Sequence, residues 1–130
     1  MKMTVSRLLL DSSAWLNYLS IEGGKMKPIV ESEATAIFTS VISLHEVHKV
    51  LSKAGKTREE LENAIGFIEE NSAVLPIYRN TALDASSISL THGLHTVDSI
   101  IYAAAQESGC ELVTFDKHFR GMPSVRLIKA

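Results

Sequence analysis

The sequence predicts an α/β fold: a three-layer α/β/α sandwich around a central, mainly parallel sheet of four to five strands. Three observations predict it. Short apolar segments alternate with longer helix-like ones along the chain. The short segments, such as Leu8-Leu9-Leu10 and Leu112-Val113, are apolar throughout, as strands covered on both faces are. The 130 residues, 45% hydrophobic and 22% charged, supply one core and are too few for a second of useful size. With no repeat, linker or low-complexity tract, residues 1–130 read as one domain.

Each element has a local reason. Residues 7–10 are a buried strand and residues 12–19 a helix. The stretch 22–27 holds Gly23-Gly24 and is a loop, and Pro28 suits the first turn of a helix reaching about residue 34. Residues 36–39 are a second strand. A helix over 43–54 ends at Gly55, and the next, 57–71, starts with Thr57 and Glu60 at capping-box spacing. Residues 74–77 are a short strand. Asn80 is placed to cap a helix that stops near Gly93, and Thr96 to cap one over 96–108 that ends at Gly109. Residues 112–115 and 125–128 complete the strands. Trp15, Tyr18 and Leu19 are expected in the core, with an interface as the other use.

Composition excludes several functions. The net charge of -2 offers no general attraction for nucleic acid, so such a partner would have to be gripped locally. The single cysteine, Cys110, permits neither an internal disulfide nor a cysteine zinc cage, and suits a cytoplasmic protein. No apolar run is long enough to span a membrane.

The informative feature is the aspartates. Only four of the fifteen acids are Asp: Asp11, Asp84, Asp98 and Asp116. Asp84 reads as a plain exposed helix acid. The other three border apolar segments, where desolvating an unpaired carboxylate is expensive. Asp11 and Asp116 follow strands, where parallel sheets build their sites. Glu46 borders the apolar arc of Leu44, Val47, Val50 and Leu51, and Asp98 borders that of Val97, Ile100, Ile101 and Ala104. Each acid also has a local reading. Asp11 can cap the next helix, Glu46 follows Ser43 at capping-box spacing, Asp98 suits a helix dipole, and Asp116 can open a turn. Clustered carboxylates would repel one another unless cations lay between them, and hard oxygen ligands select Mg2+ or Mn2+ over zinc. Such a cation can bind a phosphodiester oxygen and lower the pKa of water.

The order and setting of LLLDSSAWLNYL, SLHEVHKVL, LHTVDSIIYAAA and LVTFDKHF resemble the PIN-domain family, the ribonuclease fold of VapC-type toxins. The resemblance spans nearly the whole chain. It implies a metal-dependent endoribonuclease, the toxin of a toxin–antitoxin pair, cleaving RNA with a metal-activated water to leave a 5′-phosphate and a 3′-hydroxyl. It implies a Mg2+ or Mn2+ site built from Asp11, Glu46, Asp98 and Asp116. It also implies a cognate antitoxin and a second copy of the chain as partners. Ser13, Thr96 and Thr114 stand beside these acids and could hold ligands or a water in place. Lys49, Lys117 and Arg120, with Lys53, Lys56 and His118, are candidate phosphate contacts, Arg120 foremost for its rigid fork.

Other chemistries fit less well. His45 and His48 are three apart, whereas a zinc peptidase needs four. A haloacid-dehalogenase-type phosphatase wants a second aspartate where Ser13 stands, and a receiver domain wants an acidic pair before its first helix. A non-catalytic module of the same fold, serving RNA processing, is the alternative from another class.

Overall fold

A computed structural model describes residues 5–129. Five strands form one wholly parallel sheet: β1 (Ser6–Leu10), β2 (Thr35–Ser40), β3 (Ala73–Leu75), β4 (Glu111–Thr114) and β5 (Val125–Leu127), in the order β3-β2-β1-β4-β5. The helices are α1 (Ser12–Tyr18), α2 (Lys27–Val30), α3 (Val41–Lys53), α4 (Arg58–Asn71), α5 (Arg79–His92) and α6 (Thr96–Glu107). Among the described residues no helix is long and apolar enough to cross a membrane.

The pleat sends successive strand residues to opposite faces, and both faces are covered. Leu9, Phe38 and Leu112 pack with Ile88 of α5 and with Ile101, Tyr102 and Ala105 of α6. Leu8, Leu10, Ile37 and Val113 pack with Trp15 of α1, Val47 of α3 and Ile68 of α4. The expected three-layer sandwich with its parallel sheet is therefore present. Trp15 is fully buried and its indole N–H donates to Thr39 Oγ1 at 3.0 Å. Tyr18 stacks on Phe67, so this face of α1 is core.

Several local expectations need correcting. The helix after Pro28 is only one turn, because Thr35 Oγ1 donates to the Ile29 and Ser32 carbonyls and pulls the chain into β2. α3 starts earlier than expected, with Ser40 at its N-cap, so Ser43 lies inside the helix and the Ser43–Glu46 capping box does not form. Val50, expected on the apolar arc, is 46% exposed. α5 starts at Arg79 after Tyr78, whose N–H donates to Thr81 Oγ1, so Asn80 is not its cap. His95, not Thr96, occupies the N-cap position of α6, without a side-chain capping bond. The capping box of Thr57 and Glu60 forms as expected. Gly93 takes a left-handed φ of 69°, which ends α5 and turns the chain toward His95.

Candidate metal centre

The strand order sets the site. From β1 the chain moves outward through β2 to β3, then returns past β1 to β4 and β5. The connections diverge between β1 and β4, and a parallel sheet opens a crevice at the carboxyl ends of such a pair. Asp11 is the first residue after β1. Asp116 follows β4 by two residues.

Asp11 caps α1 and is 5% exposed. Its Oδ1 accepts from the Ser13 hydroxyl at 2.6 Å and the Ala14 N–H at 3.0 Å, and its Oδ2 accepts from the Thr114 hydroxyl at 2.5 Å. Both hydroxyls also accept a backbone N–H from the turn after β4. Phe115 donates to Ser13 Oγ at 2.9 Å and Asp116 to Thr114 Oγ1 at 3.0 Å. These bonds tie the start of α1 to the end of β4. Burial pushes the Asp11 carboxyl above the usual carboxylate range; the three donors oppose this and the Asp116 charge adds to it.

Asp116 caps a short 3-10 turn, Lys117–Phe119, anchored by the buried Phe119. Its Oδ1 accepts the His118 N–H at 2.9 Å and lies 2.8 Å from His118 Nδ1. Asp98 sits half-buried in the first turn of α6. Burial raises its pKa and the Asp116 charge raises it further, with His118 and His95 opposing. Glu46, half-buried on α3, accepts from the Ser12 hydroxyl at 3.2 Å. Burial raises its pKa, the Ser12 bond opposes, and the charges of Asp98 and Asp11 add to the rise.

Glu46, Asp98 and Asp116 line a cleft of about 540 Å³ together with His95, Thr96, Val97 and His118. One ligand atom each from Asp98, Asp116 and His118 lie within 4.8 Å of one another. Asp11 does not line the cleft but is close enough for its charge to reach Asp116 and Glu46. The structure thus brings the four sequence-selected acids to one end of the sheet. Three open into the cleft and one is fixed by hydroxyls. Carboxylates gathered at one end of a sheet, with those of Asp11, Glu46 and Asp98 raised in pKa by burial, suit a hard divalent cation, so this donor set fits Mg2+ or Mn2+.

The remaining candidates divide. Ser13 and Thr114 hold both oxygens of Asp11. Thr96 lines the cleft but has no hydrogen bond to a carboxylate among the described residues. Lys49, Lys117 and Arg120 are exposed, do not line the cleft, and form no ion pair among the described residues. Asp84 is exposed on α5, as expected. His45 and His48 join no metal-capable cluster among the described residues. Sequence reasoning missed the place of His95 in the cleft and had His118 only as a candidate phosphate contact. The available signals were a histidine two residues after Asp116 and one directly before the helix that carries Asp98.

A family model described as PIN domain matches residues 8–124. No curated protein matches the chain. Solved structures share its fold, three among them as follows. A toxin–antitoxin complex from Klebsiella pneumoniae is 24% identical, with TM-score 0.71, over 92% of this chain and 95% of that one. VapBC-1 from nontypeable Haemophilus influenzae is 17% identical, with TM-score 0.73, over 95% and 97%. VapC20 from Mycobacterium tuberculosis, described as a toxin that cleaves the sarcin–ricin loop, is 16% identical, with TM-score 0.71, over 92% and 98%.

Proposed function

The chain belongs to the PIN-domain family, and from that premise we propose that it is a Mg2+- or Mn2+-dependent endoribonuclease acting as the toxin of a VapBC-type pair. The observation that carries this reading is the convergence of Asp98 and Asp116 on one cleft with Glu46, above a buried and hydroxyl-held Asp11. Asp11, Asp98 and Asp116 would hold the cation. Glu46 completes the site directly or through water, with Oε1 steadied by Ser12. Ser13 and Thr114 keep the Asp11 carboxylate from turning. When bound, the cation polarises a phosphodiester oxygen and lowers the pKa of the attacking water. Arg120, Lys117 and Lys49 take the flanking phosphates, which supplies the local grip that a net charge of -2 requires. The products carry a 5′-phosphate and a 3′-hydroxyl.

An antitoxin and a second copy of the chain are the proposed protein partners. The likeness to solved toxin–antitoxin complexes supports the first.

The test is cleavage of total cellular RNA by the purified protein with Mg2+, with Mn2+ and with EDTA, beside Asp98→Asn. Wild type is expected to cut only with metal. Asp98→Asn is expected to keep the circular dichroism spectrum and lose at least about a hundredfold in rate. Wild-type cutting by Asp98→Asn, or cutting in EDTA, overturns the reading.

A further inference from the structure

We propose that His118 ligates the cation alongside Asp98 and Asp116, and that this nitrogen makes the site prefer Mn2+ to Mg2+. The inference deepens the metal-dependent reading above and rests on it. It starts from geometry: an imidazole nitrogen of His118 lies within 4.8 Å of a carboxylate oxygen of both acids. The imidazole side chain is 69% exposed, so it can turn toward a cation without disturbing the core. Its backbone is held in place, because the His118 N–H is bonded to Asp116 Oδ1 and Phe119 next to it is buried.

The carboxylates leave room for this ligand. Hydrogen bonds among the described residues engage only Oδ1 of Asp116 and neither oxygen of Asp98. Protein donors do not occupy the remaining oxygens, which stay free for a cation. An imidazole added to these carboxylates is not what Mg2+ selects, since Mg2+ favours oxygen and keeps its waters. Mn2+ accepts the same oxygens and, as a first-row transition metal, bonds an imidazole nitrogen more strongly than Mg2+ does. His95 sits near, with its ring centroid 6.1 Å from that of His118, but it lies outside the cluster of mutually close ligand atoms. It therefore serves as the control.

The experiment is titration of the metal-free full chain with MnCl2 or MgCl2, followed by electron spin-echo spectroscopy of the Mn2+ complex. Wild type is expected to show nitrogen modulation that changes frequency when histidine is labelled with 15N. His118→Ala is expected to lose that modulation and weaken Mn2+ binding on the order of tenfold, with Mg2+ changed less than about threefold. His95→Ala is expected to keep both. Absence of histidine modulation in wild type, its persistence in His118→Ala, its loss in His95→Ala, or equal weakening of both metals overturns the proposal. The labelled wild type reads out ligation even where a variant fails to fold. Asp98→Asn separates the two readings. If it binds Mn2+ as wild type does, the metal site itself is wrong. If it loses Mn2+ while His118→Ala behaves as wild type, only the role of His118 is wrong.

Discussion

The Thr114 hydroxyl donates to Asp11 Oδ2 at 2.5 Å, joining residues 103 positions apart. The same hydroxyl accepts the Asp116 N–H at 3.0 Å. One side chain at the end of β4 therefore orients a carboxylate after β1 and positions the backbone that carries another. Ser13 repeats the arrangement from α1, donating to Asp11 and accepting from Phe115. Two small hydroxyls thus fix the acidic end of the sheet at its switch point.

Thr114→Val removes this donor and acceptor while keeping the shape. The buried Asp11 carboxylate then loses one of its three donors and Asp116 N–H loses its partner. Urea unfolding at neutral pH should show a loss of about 1–3 kcal/mol, the usual effect of stranding a buried polar group. Mn2+ affinity should fall as well. Thr114→Ser should restore both, because it keeps the hydroxyl.

The acids of the site also set a pH dependence. Burial and then neighbouring charge raise the folded-state pKa values of Glu46 and Asp98, and burial does most to raise that of Asp11. A raised carboxyl stabilises the fold in its protonated form. The contribution is fully present below the unfolded value of about 4 and is lost as pH rises through the folded value. Exposed Glu31 and Glu60 have lowered pKa values and act in the opposite sense. The clean measurement is therefore a difference in Tm between Asp98→Asn and wild type, without metal. The variant should gain on wild type as pH rises from about 4 to about 7. Saturating Mn2+ should reverse the order at neutral pH, since it stabilises only the chain that binds it.

Arg120 stands four residues after Asp116, exposed and without an ion pair among the described residues. Arg120→Ala should weaken RNA binding and lower the slope of log K against log salt by about 1, as loss of one phosphate contact does. Its Tm and Mn2+ affinity should match wild type. An unchanged salt slope would remove Arg120 from the RNA interface.

Local signals were legible where a residue and its partner are close in sequence. Thr57 and Glu60 form the capping box that their spacing suggests, and Asp11 caps α1. The same kind of signal misled at Ser43, Asn80 and Thr96. Cap spacings are degenerate, and packing chose among them. Ser43 is fully buried inside α3, which begins at Val41 with Ser40 at its N-cap. His95 and His118 stand next to the site's acids in sequence, but only the fold brings the two rings to one cleft.

By itself the sequence determined the alternation of buried strands and amphipathic helices, and hence a parallel sheet covered on both faces. It also determined that three aspartates and one glutamate border apolar segments, because hydrophobic periodicity is a local property of the chain. Only the tertiary structure decided that β1 and β4 are neighbours, that Thr114 therefore reaches Asp11, and that His118 joins Asp98 and Asp116. The physical reason is that strand order and the meeting of distant side chains follow from packing the whole core at once, which no window of neighbouring residues encodes.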